Sequence, residues 1–273
     1  IVVGGAGFIG SNLVDALVKA GKSVRVIDDL STGSLDNVNH AAEFIEADIS
    51  DEGIEDTLEH YFEGTDYVFH LAAMARVQPS IEDPVHYDAV NVGGTLRMLK
   101  LAADAGAEKF IFSSSSSVYG DPEYTPTDEV HPTNPISPYA ANKLIGEVYC
   151  KMFAEVYHLP TVCLRYFNVY GERQPLEGAY ALVMGIFADQ LLKGNPMTVN
   201  GDGEQRRDFT YVGDVVKANI LAAQCDDAGF GESYNVGNSD NRSVNELAAL
   251  LGGDKKHGDS VIEPRITLAD NSK

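Results

Sequence analysis

Basic residues are scarce in this sequence. Lys and Arg number 20 against 41 Asp and Glu, a formal net charge of −21. A nucleic-acid binder normally presents a basic face, so nucleic acid is not an expected partner. An anionic small ligand stays open, because a few local arginines and helix N-termini can outweigh a distant negative surface. Cysteine is sparse too: Cys150, Cys163 and Cys225 lie far apart and no CxxC occurs. The seven histidines form no ligand-like pair. A disulfide framework and a metal site are therefore not expected, and a reducing, cytoplasmic compartment fits best. No apolar run approaches the roughly 20 residues of a membrane span, so no membrane partner is expected. Internal repeats and low-complexity segments are missing as well. Ile1 opens inside an apolar run, with no initiator Met and no signal-peptide pattern, a start that reads as lacking a residue or two.

What is present is a globular composition, 44% hydrophobic and 22% charged over 273 residues, enough to bury a substantial core. Strand-like and helical stretches alternate. Strands are expected at Ile1–Val3, Val24–Asp28, Phe44–Ala47, Tyr67–Ala72, Phe110–Phe112 and Val162–Tyr166. Helices are expected at Gly10–Ala20, from about Pro84 to Ala105, and at Pro138–Tyr157. Short apolar strands between helices predict an α/β fold, a doubly wound parallel (Rossmann) sheet that binds ligands at the carboxyl ends of its strands. After Tyr166 the alternation loosens, with helices at Ala179–Lys193, Asp214–Gln224 and Val244–Leu251. The expected division is a dinucleotide-binding domain over 1–166, with part of 201–235 returning to it, and a smaller α/β substrate-binding region over 167–273.

Gly4-Gly5-Ala6-Gly7-Phe8-Ile9-Gly10 fits G-x-x-G-x-x-G. Missing side chains let a backbone turn tightly and approach a pyrophosphate, which then sits on the following helix N-terminus. A lone glycine motif is weak, and a ligand-free glycine turn is the plain alternative. Here the motif follows a strand, opens a helix, and is succeeded by Asp28 at the end of the second strand. That acid is placed to bond adenosine ribose hydroxyls and to repel a 2′-phosphate, which favours NAD over NADP. Asp48-Ile49, after the third strand, is a candidate adenine contact or an ordinary strand end.

Ser113–Ser117 follows the fifth strand, so its serines emerge at the sheet edge. Tyr139 and Lys143 stand four residues apart, on one helical face. Ser137 can cap that helix and Pro138 suits its first position, which puts Tyr139 near the positive end of the helix dipole. A phenol there, with an ammonium one turn along, is expected to move towards phenolate. Ser115 could relay a proton between it and a substrate hydroxyl. On their own, Tyr and Lys at this spacing equally describe a surface helix.

Together, Gly4-x-x-Gly7-x-x-Gly10, Ser113–Ser115 and Tyr139-x-x-x-Lys143 resemble the extended short-chain dehydrogenase/reductase superfamily. Within it the chain is similar to the nucleotide-sugar epimerases, on the UDP-glucose and UDP-N-acetylglucosamine 4-epimerase branch. The likeness runs nearly end to end. It includes Asp28-Asp29-Leu30-Ser31-Thr32-Gly33, His70-Leu71-Ala72-Ala73, Asn91-Val92-Gly93-Gly94-Thr95, Leu164–Gly171, Gly201-Asp202-Gly203 and Arg207-Asp208-Phe209.

The resemblance implies an NAD-dependent isomerase acting through a transient 4-keto sugar and enzyme-bound NADH. Its catalytic residues would be Ser115, Tyr139 and Lys143. On the cofactor side it implies Gly4, Gly7, Phe8, Ile9, Gly10, Asp28, Asp29, Ser31, Gly33, Asp48, Ile49, Leu71, Ala72, Ala73, Asn91, Ser113, Tyr139, Lys143 and Tyr166. For a UDP-sugar it implies Ser115, Tyr139, Asn168, Thr198, Val199, Asn200, Arg207 and Arg265, the two arginines gripping the diphosphate. Taken singly, each arginine equally fits a surface ion pair. A homodimer through the helices at about Pro84–Ala105 and Pro138–Tyr157 is also implied, although Met98, Leu101, Leu144 and Val148 could equally be core.

The sequence departs from the family around Gly252–Ser260, and Pro264-Arg265 runs almost directly into Ile266. If Thr267 holds the family's gatekeeper position, the small wall would admit an N-acetyl group. Gly178-Ala179-Tyr180-Ala181 also resembles the N-acetylhexosamine branch. UDP-GlcNAc and UDP-GalNAc are thus expected substrates beside UDP-glucose and UDP-galactose. A 4,6-dehydratase needs an acid pair where Ser115-Ser116 stand. A UDP-glucuronate 4-epimerase or decarboxylase is the nearer alternative, and a non-catalytic NAD-binding regulator is the alternative of another class.

Overall fold

The structure is a computed structural model that describes residues 1–176, 181–259 and 264–273. In chain order, β1 (Val2–Val3), α1 (Phe8–Lys19), β2 (Arg25–Asp28), β3 (Glu43–Glu46), α2 (Ile54–Phe62) and β4 (Tyr67–His70) come first. The short helices α3 (Val77–Glu82) and α4 (Pro84–Asp88) lead through a π-helical stretch, Ala89–Gly94, into α5 (Thr95–Asp104). There follow β5 (Lys109–Ser115), α6 (Pro138–Val156), β6 (Thr161–Tyr166), β7 (Val169–Tyr170), α7 (Val183–Leu192), β8 (Met197–Asn200), β9 (Arg206–Asp208) and β10 (Thr210–Tyr211). The chain closes with α8 (Val212–Gln224), β11 (Phe230–Val236), β12 (Asn241–Ser243), α9 (Val244–Leu251) and β13 (Lys255–Gly258).

Seven of these strands form one parallel sheet, in the order β11-β6-β5-β4-β1-β2-β3. The order reverses between β1 and β4, and a doubly wound sheet opens a ligand crevice at that switch. Alternate residues of each strand face opposite layers. Val2, Val26, Ile111 and Leu164 pack with Leu13 and Val14 of α1 and Val215 of α8. Val3, Ile27, Phe110 and Phe112 pack on the other side with Leu58 and Phe62 of α2, Met98 and Leu99 of α5, and Phe153 of α6. Both faces are thus covered, the condition a parallel sheet requires.

The remaining strands build a small cap whose core is Phe187, Met197, Val199, Val244 and Leu247. Its tie to the sheet is electrostatic. The buried Asp208 carboxylate accepts N–H bonds from Asn238 at 2.7 Å, Ser239 at 3.0 Å and Ala269 at 3.0 Å. One side chain therefore joins β9, the segment after β11 and the C-terminal stretch.

Several expectations shift in detail. The helical stretch expected from about Pro84 to Ala105 is seen as three consecutive helical segments, Pro84–Asp88, the π-helical Ala89–Gly94 and Thr95–Asp104. At the end of the π-helical segment, a Cβ on Gly94 would lie 2.6 Å from the Ile49 side chain, so a larger residue there must displace Ile49. The wider turn also brings Asn91 inward. Helix α2 follows from Ile54, Leu58 and Phe62 at four-residue spacing, a pattern too short to stand out among acids. Strand β11 lies at the sheet edge beside β6, and α8 covers the sheet before it. The helix expected over Ala179–Lys193 is seen from Val183 to Leu192. Of Gly178-Ala179-Tyr180-Ala181, the first three fall outside the described residues.

Helix α6 lies unusually close to β5. A Cβ on Gly146 would come within 2.3 Å of the Phe112 ring. Gly146→Val should therefore destabilise the fold by about 1–3 kcal/mol through overpacking. A urea midpoint equal to that of the parent would show that α6 can lift away instead.

Candidate active site

The carboxyl ends of β1, β4 and β5 place the motif residues together. Gly4 adopts a positive φ of 83° and passes against the β4 loop, where a Cβ would strike the Ala72 nitrogen at 2.5 Å. Leu71 and Ala72 donate to the Val3 carbonyl at 2.8 and 2.9 Å. Gly10 meets Gly4 so tightly that its Cβ would lie 2.0 Å from the Gly4 oxygen. Gly7 differs: a Cβ there would meet only that same oxygen, at 3.4 Å. Gly7 is also the N-cap of α1, in extended backbone, with no side chain capping the helix and no acid in its first turn. The residues present thus fit a pyrophosphate. They offer a cradle that a Cβ would fill, at the positive end of a helix that begins at Phe8 and Ile9.

Asp28 ends β2 and is buried. Its carboxylate accepts from Ala6 N at 2.9 Å and Leu30 N at 2.9 Å, fixing the glycine turn against the next loop. Burial raises its pKa above the usual carboxylate value, against the pull of those two bonds. Each oxygen keeps a lone pair for a ribose hydroxyl. Asp29 accepts from the amide and hydroxyl of Ser31, at 3.0 and 2.7 Å. Gly33 lies against Ala6, where a Cβ would be 2.9 Å from its carbonyl. Asp48 bonds Ser50, and Ile49 is a core residue wedged at the Gly94 turn. Asn91 grips the β4 loop from both sides: its Oδ1 accepts from Met74 N at 2.8 Å and its Nδ2 donates to Met74 O at 3.0 Å. It reaches any ligand chiefly through that loop, which continues from Ala72 and Ala73.

Helix α6 starts as its sequence predicts. Ser137 Oγ accepts from Ala140 N at 3.2 Å and Pro138 occupies the first turn. Ser115 ends β5 and accepts from Ser117 N at 3.2 Å. Ser115 stands where its hydroxyl acts on the Tyr139 phenol, favouring the ionised form. Lys143 is buried, donates to the Ser113 carbonyl at 2.7 Å, and has its ammonium 5.0 Å from the Phe112 ring centroid. Ser113 Oγ bonds the Tyr166 hydroxyl at 2.9 Å, which also meets Asn219. Burial pushes Tyr166 up to about 12, so it stays a neutral phenol.

The electrostatics correct one expectation. Tyr139 is raised, not lowered, because burial dominates. The opposing influences are the Ser115 hydroxyl and the positive charge of Arg76. Lys143 faces β5 and is itself brought down to about 8 by burial. Arg76, between β4 and α3, escaped notice in the sequence. Its signal was a lone charge four residues beyond Ala72, at the end of a core strand.

The substrate-side residues fall into two groups. Asn168, Arg207 and Arg265 gather around β9. Asn168 Nδ2 donates to Asp208 O and Thr267 Oγ1, both at 3.1 Å. Arg207 is buried on β9, and Arg206 N donates to Arg265 O at 2.9 Å. The Arg265 guanidinium forms a two-pronged ion pair with Asp202, each contact 2.9 Å. Thr198, Val199 and Asn200 lie on β8. Val199 is fully buried in the cap core, so its side chain cannot line a sugar site. Thr198 is tied to Gln190 of α7, and the Asn200 side chain is exposed.

Residues 1–237 match the model of the NAD dependent epimerase/dehydratase family. The chain belongs to that family. A UDP-glucose 4-epimerase of Mycolicibacterium smegmatis is 42% identical over 259 residues, covering 93% of this chain and 81% of the relative. A solved UDP-glucose 4-epimerase of Thermotoga maritima with UDP-glucose aligns with a TM-score of 0.93 at 39% identity, covering 99% of this chain and 89% of that one. A UDP-N-acetylglucosamine 4-epimerase of Methanobrevibacter ruminantium, in complex with UDP-N-acetylmuramic acid, aligns with a TM-score of 0.92 at 40% identity, covering 99% and 88%. The family's cofactor is NAD, and the turn over Gly4–Gly10 with Asp28 is the part of this chain that fits it.

A serine at Gly7 separates folding from cofactor binding. It would supply the N-cap hydroxyl that α1 lacks while filling the cradle. Gly7→Ser should hold or raise the melting temperature measured without added NAD, yet weaken NAD binding about tenfold or more by calorimetry, a change of about 1.4 kcal/mol. Unaltered NAD affinity would remove Gly7 from the site.

Proposed function

We propose that this protein is an NAD-dependent UDP-hexose 4-epimerase that interconverts UDP-glucose and UDP-galactose. The observation that carries the proposal is the placement of Ser115 at the end of β5 and of Tyr139 in the first turn of the Ser137-capped helix α6, at the sheet's carboxyl edge with the glycine turn, in a chain of this family. Bound NAD supplies a reversible hydride acceptor. Tyr139 takes the proton of the sugar 4-hydroxyl and returns it after the ring has turned over. Ser115 holds that oxygen and relays the proton. Lys143, anchored on the Ser113 carbonyl, ties α6 to the end of β5, and its ammonium would hold the ribose of bound NAD. Arg207 and Arg265 are the diphosphate ligands, and Arg265 must exchange the Asp202 carboxylate for phosphate oxygens to act as one. Ser115 and Ser116 stand where a dehydratase would need carboxyl groups, so elimination lacks its acid and base.

Thr267 supports acceptance of N-acetylated sugars. Its hydroxyl is bonded by Asn168 Nδ2 and Asp208 N at 3.1 and 3.2 Å, which holds a small side chain, not a tyrosine, at that point. The molecule also presents an apolar strip. Ile81 on α3, Val85 on α4, and Ile145 and Val148 on α6 are exposed, on helices that pack side by side. This strip supports a homodimer, since large exposed apolar side chains clustered on one face favour association. Free buried thiols at Cys150 and Cys163 agree with a reducing, cytoplasmic setting. Among the described residues no helix is long and apolar enough to cross a membrane.

Tyr139→Phe should lower epimerisation of UDP-glucose by about 100-fold or more while leaving NAD and UDP-sugar binding near their parent values. NMR of the sugar mixture reads the first and calorimetry the second; near-normal turnover would overturn the mechanism. The same NMR assay with UDP-GlcNAc should show UDP-GalNAc forming, and failure with that pair alone would confine the enzyme to unmodified hexoses. Size-exclusion with light scattering should give twice the chain mass, and Val148→Asp should shift it to the monomer.

A further inference from the structure

Between the cofactor helix and the cap lies a tight turn, Gly171–Gln174, that the epimerase chemistry leaves unused. It follows β7 and is closed on itself: Gln174 N donates to Gly171 O at 3.2 Å, and Gly171 N to Gln174 Oε1 at 3.4 Å. Inside it, Arg173 takes a positive φ of 65°. A residue with a side chain keeps that conformation only where its surroundings hold it there. Here they do. Glu172 O accepts from Asn12 Nδ2 of α1 at 3.0 Å. The Glu172 carboxylate accepts from the Tyr211 hydroxyl, at the start of α8, at 2.9 Å. The Arg173 guanidinium pairs with Asp15 of α1 at 2.6 Å. Just past the turn, the Pro175 carbonyl packs on α7, where a Cβ on Gly185 would lie 2.3 Å from it.

These tethers fall on the part of α1 that serves the cofactor. Asn12 Nδ2 also donates to Phe8 O at 2.9 Å. The turn is therefore bonded to the opening of the helix whose N-terminus fits a pyrophosphate. Asp15 stands about one helical turn further along and is steadied by Asn39 Nδ2 at 2.7 Å. In the other direction, Asn168, shortly before the turn, is fixed to Asp208 O of β9 and to Thr267. One short stretch thus runs from the substrate-side residues across α1 to the cap. Its two holds on α1 differ in kind. The Asn12 bond is neutral and reaches backbone. The Arg173–Asp15 contact is an ion pair whose side chains are 33% and 38% exposed. A pair so placed holds weakly and is screened by salt, so it can open without unfolding anything.

We propose that Gly171–Gln174 is a strap that gates NAD exchange, with the Arg173–Asp15 pair as its catch. This rests on NAD as the cofactor and is independent of which sugar is turned over. An epimerase has to keep its reduced cofactor until the hydride returns, so slow exchange suits the reaction. The catch is made between two protein side chains and spends the guanidinium on Asp15. Opening it therefore changes how fast NAD enters and leaves, and leaves the affinity alone, because a step that does not favour one bound state over another shifts no equilibrium.

The test loads the parent, Arg173→Gln and Asp15→Asn with NADH and chases with excess NAD, following the loss of bound-NADH fluorescence by stopped flow. Release should be about two- to fivefold faster in either variant, the range that a half-exposed ion pair can hold shut. Association should quicken by a similar factor, so that the Kd for NADH stays within about twofold of the parent value. The double variant should release no faster than the singles, because both remove the same contact. Added salt should speed release from the parent more than from the variants. Release at the parent rate from both single variants would overturn the proposal. A Kd weakened in step with faster release would overturn it too, since that marks a cofactor ligand or a structural prop. Should Arg173→Gln melt well below the parent, Asp15→Asn decides alone, because it leaves the turn itself untouched: faster release at unchanged Kd supports the strap, and release at the parent rate overturns it. A parent that binds no NADH would instead overturn the cofactor assignment, a failure that needs no variant to be seen.

Discussion

The contact on which the site depends is the seam between α6 and β5. Gly146 lets the helix axis approach until the Phe112 ring occupies the space of a missing side chain. One turn earlier, the Lys143 ammonium closes on the Ser113 carbonyl at 2.7 Å. These two contacts fix both the distance and the pitch of the helix. A further turn back, Tyr139 then arrives beside Ser115, the last residue of the strand. The seam is also dry, since Phe112 and Phe153 are fully buried. Lysine in such a place is costly unless bonded, and the strand carbonyl satisfies it. The same residue is therefore a structural pin of the seam.

Much of this was legible because it follows from short-range rules. A glycine turn between strand and helix, an acid ending the second strand, and Ser-Pro ahead of Tyr-x-x-x-Lys each carry their own geometry. The cap at Ser137 and the doubly wound sheet follow from those local signals. Other features depend on what lies opposite in space, which no local pattern encodes. The close approach of Ile49 to Gly94, at the end of the π-helical stretch Ala89–Gly94, joins residues 45 apart in the sequence. Val199 is a substrate-site residue by family resemblance, yet its side chain packs with Phe187 and Leu247 in the cap core. Arg265 reads as a phosphate ligand, but its immediate partner is Asp202. Arg76 has no motif at all.

The electrostatic correction has the same origin. Sequence spacing places an ammonium one turn from the phenol, and that much is correct. What it omits is desolvation, which acts on both groups in opposite directions: it raises the phenol and lowers the ammonium. Each therefore tends towards neutrality unless something outside the helix intervenes. In this fold the intervening groups come from neighbouring elements, the Ser115 hydroxyl from β5 and a guanidinium from the β4 loop.

The sheet's last strand has a consequence for how the molecule forms. β11 pairs in parallel with β6, Phe230–Val236 against Thr161–Tyr166, and the first part of the cap, with α7, β8 and β9, lies between them in the chain. That stretch is thus an excursion out of a sheet still one strand short. Closing so long a loop carries an entropic penalty before any of the pairing is recovered, and such non-local pairing is slow. Until it happens, β6 is an open edge bearing Val162 and Leu164, the kind of apolar strand that pairs with the wrong chain. The late arrival of residues 230–236 makes the interval before edge closure the stage at which a nascent chain is most exposed to aggregation.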